Sequence, residues 1–147
     1  MREILFRGKA MTTDRFVEGA YYHQMEFYGD ECDEHYIISS KDVLEDNMTC
    51  CDEVFPETVG QYTGLTDKNG TKIFEGDIIQ RLPKYKNDTV ETYEVIFLEG
   101  SFQYACLGKK YGYSFEDSEF GICSNQYEVI GNIHDNPELL KAGADNG

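Results

Sequence analysis

Residues 61–80 read QYTGLTDKNGTKIFEGDIIQ, and this punctuation limits the fold more than any other feature of the chain. Asn69-Gly70 suits a tight turn, because both residues accept positive φ. Leu65 and Ile73 flank it at hairpin distance. Gly76-Asp77 makes a second turn that launches a strand over residues 78–82, with Asp77 placed to hydrogen-bond its own backbone. A chain punctuated this closely folds back into short antiparallel strands. The DKNG core also resembles part of a calcium loop. With Asn69-Gly70 at loop positions five and six, however, Leu65 and Gly76 fall where an acidic ligand and a bidentate Glu belong. The stretch therefore specifies geometry rather than an ion site.

The rest of the chain reads the same way. Residues 2–9 form a short strand, MTTDR a turn, and FVEGAYYHQMEFY a longer strand with Gly19 as a bulge; together these make a hairpin. A charged turn leads to a short strand over residues 35–39. KDVLEDNMTCCDEVF reads as a helical turn or an irregular acidic loop, since Val43, Leu44 and Met48 fit one helix face; Pro56 ends it. TVETYEVIFLE and SFQYACL form a second hairpin across Glu99-Gly100. Tyr93, Val95 and Phe97 share one face of it, as do Phe102, Tyr104 and Cys106. The stretch over residues 108–125 reads as a loop or an irregular strand pair. QYEVIGNI is a final strand, and Asn136 then caps a short helical turn with Pro137 at its first position. Eleven Tyr, nine Phe and 14 Gly against three Pro favour strands and turns throughout.

Charge narrows the partners. The formal net charge is −15, and residues 26–57 hold eleven acidic residues against one lysine, a net of −10. Such a surface repels phosphate backbones and anionic membranes, so direct nucleic-acid or membrane binding is not expected. It suits a basic protein partner, or an acidic mimic of DNA. No apolar run has the length of a bilayer span. The N-terminal MREILFRGKAMTTD lacks a long apolar core and a small-residue cleavage site, so no signal peptide is read. Five cysteines (Cys32, Cys50, Cys51, Cys106, Cys123) without framework spacing fit free thiols in a reducing cytoplasm.

Motifs for chemistry are sparse. Cys32 and His35 have a usable zinc spacing, but adjacent Cys50 and Cys51 do not, and acidic neighbours oppose thiolate formation. The only histidines are His23, His35 and His134, none in a nucleophile motif. There is no glycine-rich phosphate loop. Tyr21-Tyr22 could stack bases, but only beside positive charge, and the basic group Arg81, Lys84 and Lys86 is small. No catalytic, cofactor-binding or metal residue is assigned, no cofactor is expected, and the expected class is non-enzymatic.

GQYTGLTDKNGTKIFEGDII, followed much later by YEVIGNIHDNPELL, resembles the YopX-like family of phage and prophage proteins. REILFRGKAM, RFVEGAYY and ETVGQYTGL fit the same pattern, which covers roughly residues 2–140. The resemblance implies a mainly β fold, with an SH3-like barrel over residues 58–140 and a smaller β-rich lobe with the acidic segment over residues 1–57; the terminal KAGADNG, residues 141–147, reads as a disordered tail. Gly64, Asp67, Gly70, Gly76, Asp77, Gly131 and Asn132 match its pattern as structural positions. The family carries no assigned catalytic residues. The expectation is a phage- or prophage-encoded interaction module in the host bacterial cytoplasm, binding an unknown protein and self-associating through its sheet edges. The alternatives are an acidic DNA mimic and a metal-dependent enzyme acting on nucleic acid.

Overall fold

The computed structural model describes residues 2–39, 50–83, 85–87, 90–106, 113–114 and 126–139. The chain is mainly β. In order the strands are β1 (Phe6–Ala10), β2 (Phe16–Phe27), β3 (Asp30–Ser39), β4 (Cys50–Thr66) and β5 (Lys72–Phe74). They continue with β6 (Asp77–Arg81), β7 (Glu91–Leu98), β8 (Ser101–Cys106), β9 (Tyr113–Ser114) and β10 (Tyr127–Asn132). The described helix is a single turn over residues 137–139. The chain divides into two compact units, Met1–Tyr62 and Thr63–Gly147.

In the first unit four strands close on themselves. β1 pairs antiparallel with β2, β2 with β3, β3 with β4, and β4 returns to β1. The β2–β3 turn is the dipeptide Tyr28-Gly29, with φ of +50° and +85°. Both central residues at positive φ match the right-handed twist of the strands they join. On β4 the ladder to β1 breaks between Arg7 and Lys9, whose partners are Gly60 and Phe55. Thr58 fills the gap: its Oγ1 accepts from Lys9 N (2.8 Å) and donates to the Phe55 carbonyl (2.6 Å). Pro56 lies in this bulged stretch, where a missing N–H costs no ladder bond. β4 therefore runs straight through the point where the sequence was expected to end a helical turn, and its residues 50–55 are strand; residues 40–49, including Val43, Leu44 and Met48, lie outside the described set. Ala10, Ile37 and Val54 are buried inside the ring.

Gly19 was expected as a bulge. It pairs in register with Phe6, and the bulges fall instead at Arg7/Lys9 and Gln24/Glu26. What Gly19 provides is close approach, because a Cβ there would run into the Ile38 carbonyl oxygen. β3 is also longer than expected, reaching back to Asp30.

In the second unit the end of β4 pairs with β5 across the Asp67–Gly70 turn, and Thr63 Oγ1 donates to the Ile73 carbonyl (2.8 Å). A five-stranded antiparallel sheet follows, in the order β10-β6-β7-β8-β9. The β7–β8 hairpin turns on Glu99-Gly100 as expected, with φ of +50° and +82°. Its core is Ile73, Ile79, Tyr93, Val95, Tyr104 and Tyr127, with Leu65, Phe102 and Val129 packed against them. Phe97 shares its face with Tyr93 and Val95 as expected, but at the end of the hairpin it is half exposed and meets Phe102 edge-on at 5.1 Å. Among the described residues no helix is long and apolar enough to cross a membrane.

Candidate functional site

The β2–β3 ribbon carries the densest chemistry among the described residues. His23 and His35 are cross-strand partners. Their rings stack at 4.1 Å, nearly parallel. Asp33, two residues before His35 and hence on the same face, brings its carboxylate to both rings. Its Oδ1 lies 2.6 Å from His23 Nε2 and 3.1 Å from His35 Nε2. Tyr21 reaches the other side of His35, its hydroxyl 2.6 Å from Nδ1. The hydrogen bond from His23 holds the Asp33 carboxyl below its ordinary range, against a smaller opposing effect of burial and with help from the His35 charge. Burial pushes the Tyr21 phenol up, and the Asp33 charge adds to this, so the hydroxyl keeps its proton at neutral pH. Asp33 stays 78% exposed, so the cluster opens to solvent. Among the described residues, His23, Asp33 and His35 form one group whose ligand atoms all lie within 4.8 Å of one another.

The end of the same ribbon is apolar and unshielded. Tyr22, Met25, Phe27 and Tyr28 are all exposed, Tyr28 at 93%. Phe27 and Tyr28 meet edge to face at 4.5 Å. Tyr28 is also held at positive φ, at a cost of about 1–2 kcal/mol for an L side chain. Glu26, Asp30 and Glu31 stand exposed around these rings, and residues 16–40 contain no Lys or Arg.

The seven signature positions serve the backbone of the second unit. Gly64, Gly70 and Gly76 have φ of +87°, +79° and +89°. Asn69 is not among the positive-φ residues, so the first turn draws its left-handed residue from Gly70 alone. Asp67 is 3% exposed. Its Oδ1 accepts from Asn69 N (2.8 Å) and Thr71 N (2.9 Å), and its Oδ2 from Val129 N (2.9 Å) on β10. Lys68 N also donates to the Tyr127 carbonyl (3.0 Å), and Lys68 Nζ pairs with Glu128 (3.4 Å). The two long sequence signatures thus meet at this turn. Asp77, fully buried, accepts from Phe74 N (2.7 Å). Asn132 Oδ1 accepts from His134 N and Asp135 N, at 3.0 and 2.9 Å. Asn136 turns its own Oδ1 back to Asn132 N (3.2 Å), and a Cβ at Gly131 would collide with that side chain.

The cysteine-based zinc reading separates in space. Cys32 does not join the group of His23, Asp33 and His35, and its Sγ donates instead to the Gln24 carbonyl (3.4 Å). Burial, followed by the Glu34, Asp33 and Glu26 charges, pushes its thiol up. Cys51 pairs with Ile38 in the ladder, and burial, then Asp52, raises its thiol too. The side chain of Cys50, together with Lys84 of the basic group, lies outside the described residues. Arg81 is paired with Glu91 at 3.5 Å.

The fold and the ribbon define a small two-unit β protein, one unit a closed ring of four strands and the other a sheet clamped by a buried aspartate. The model of the YopX protein family matches residues 5–141, and the chain belongs to that family. It is similar to protein EF1440 from Enterococcus faecalis, known from a crystal structure. The two share 25% identity over 95% of this chain and 99% of that one, with a TM-score of 0.52. A search of curated proteins returns no match.

Proposed function

We propose that this protein is a non-enzymatic interaction module, phage- or prophage-encoded and acting in the host bacterial cytoplasm. In this reading it docks onto another protein through the tip of the β2–β3 ribbon. The exposed Phe27–Tyr28 pair carries the reading. Clustered aromatics are the residue types that dominate binding energy when a partner desolvates them. Their acidic surroundings define the other half of the contact: an apolar pocket rimmed by Lys and Arg. The second unit, read as an SH3-like barrel, is the scaffold that accompanies the ribbon.

A second reading rests on the acids themselves. Asp30, Glu31, Asp33 and Glu34 on β3 lie on the strand next to Asp52 and Glu53 of β4. Such an array can stand in for DNA phosphates at a basic site.

One experiment separates them. Tagged wild-type protein, a Phe27→Ala/Tyr28→Gly variant and a Glu26→Gln/Asp30→Asn/Glu31→Gln variant are each used to capture partners from nuclease-treated bacterial lysate. Docking by the tip predicts a partner retained by the wild type and lost with the aromatic variant. A partner indifferent to the aromatic variant but released by charge neutralisation favours mimicry. Equal recovery with all three overturns both readings.

A further inference from the structure

We propose that His23, Asp33 and His35 bind a Zn²⁺ ion on the open face of the β2–β3 ribbon, with Tyr21 orienting His35. This site is independent of the docking reading.

Two imidazole nitrogens and one carboxylate oxygen are a standard zinc donor set, and with three protein ligands the fourth position is left to water. Imidazole in the set selects zinc-like ions over Mg²⁺ and Ca²⁺, which take oxygen ligands. The geometry is close to what the ion requires. Both Nε2 atoms converge on one oxygen, Asp33 Oδ1, at 2.6 and 3.1 Å. Ligands of a tetrahedral ion at about 2.0–2.1 Å stand about 3.3 Å from one another. Asp33 Oδ1 must therefore move away from each Nε2 by less than an ångström. Asp33 can supply this by side-chain rotation, since it is largely exposed.

The scaffold holds the rest in place. Facing positions on paired strands place the two rings side by side, and the stacked planes tilt toward each other when both Nε2 lone pairs meet one ion. Tyr21 Oη lies 2.6 Å from His35 Nδ1. A protonated Nδ1 donating to that oxygen leaves the Nε2 lone pair free for the ion. Partners of this kind set the tautomer of metal-bound histidines and typically contribute 10–100-fold in affinity. A zinc-bound Nε2 carries no proton, so each neutral imidazole binds as its Nδ1–H tautomer and the Nε2–H bonds to Asp33 give way to the ion.

The test is titration of the full chain, its thiols alkylated, with zinc chloride by calorimetry and with cobalt chloride by visible absorbance. The proposal predicts one equivalent of Zn²⁺ per chain, and a Co²⁺ spectrum with the ligand-field bands of a four-coordinate site. His23→Gln and Asp33→Asn each weaken binding at least tenfold. Tyr21→Phe weakens it by about tenfold while the far-ultraviolet spectrum stays that of the wild type. If His23→Gln disturbs the fold, imidazole nitrogen shifts in the wild type decide: on zinc addition the Nε2 resonances of His23 and His35 move and that of His134 does not. No saturable binding at millimolar zinc overturns the proposal, and so does binding that survives loss of both His23 and Asp33.

Discussion

Asp67 ties the Asp67–Gly70 turn to β10 through one buried carboxylate, and removing it is the most informative perturbation of the second unit. Three backbone N–H groups, from Asn69, Thr71 and Val129, donate to it. Hydrogen bonds to a charged group contribute about 1.5–3 kcal/mol each, and a buried donor left without a partner costs a similar amount. The Asn69 and Thr71 amides lie in a surface turn that water can reach, so their loss is partly offset. Val129 N belongs to β10. Asp67→Ala is therefore expected to cost about 3–4 kcal/mol. Asp67→Asn keeps one oxygen for the turn amides but turns an NH₂ group toward Val129 N–H, and is expected to cost about 1.5–3 kcal/mol. Burial pushes this carboxyl up, but the donors at Val129, Thr71 and Asn69 outweigh it and hold its pKa below the ordinary 3.8. A folded-state pKa below the unfolded one means stability that is complete only above the unfolded value and is lost as pH falls from there through the folded pKa. Urea unfolding at pH 7 and pH 3, with hydrogen exchange at Val129, measures both effects. Wild-type stability falls between the two pH values, and the Asn variant loses part of that dependence. A cost under about 1 kcal/mol for Asp67→Ala, or equal costs for Ala and Asn, refutes this account of the clamp.

Two further predictions concern the first unit. Gly19→Ala forces a methyl group against the Ile38 carbonyl and should destabilise the protein by about 1–3 kcal/mol or more, read as a lowered midpoint in thermal unfolding; an unchanged midpoint removes close approach as the reason for the glycine. The Tyr36 hydroxyl donates to Glu34 at 2.6 Å, and chiefly through this bond its pKa is pushed up from 10.0 to about 12. In an ultraviolet pH titration, Glu34→Gln should return Tyr36 toward 10, and no movement would assign the shift to burial instead.

Much of this architecture was legible because turn chemistry is local. Glu99-Gly100, Asn69-Gly70 and Gly76-Asp77 announce their turns through residues that tolerate or require positive φ, and the strands between them alternate. The histidine cluster was not legible, for a reason that can be traced. Tyr28-Gly29 forms the β2–β3 turn, although a bulky aromatic at positive φ is a poor turn signal. Even with that turn placed correctly, a regular ladder pairs His23 with Glu34. β3 carries one extra residue there, Cys32 and Asp33 standing against Met25 alone, and that single step brings His35 opposite His23. Spacing along the chain favoured Cys32 with His35, but the Cys32 thiol turns to the Gln24 carbonyl and it is Asp33 that reaches both imidazoles. Closure of the first four strands was hidden as well, since the β1–β4 pairing has no local signal and the bulge around Pro56 looks like a strand break.

That closure has a consequence for how the chain reaches its native state. Joining Phe6 to Gln61 across the intervening segment costs on the order of 3.5 kcal/mol of loop entropy before any ladder bond repays it. The β2–β3 hairpin involves only neighbouring residues and can form within about 1–10 μs. The ring should therefore assemble from the hairpin outward, with β4 docking on β1 as the slow, late event. Until it does, β1 presents an open edge to any other chain. The interval between synthesis of β1 and arrival of β4 is then the stage at which this protein is most exposed to aggregation.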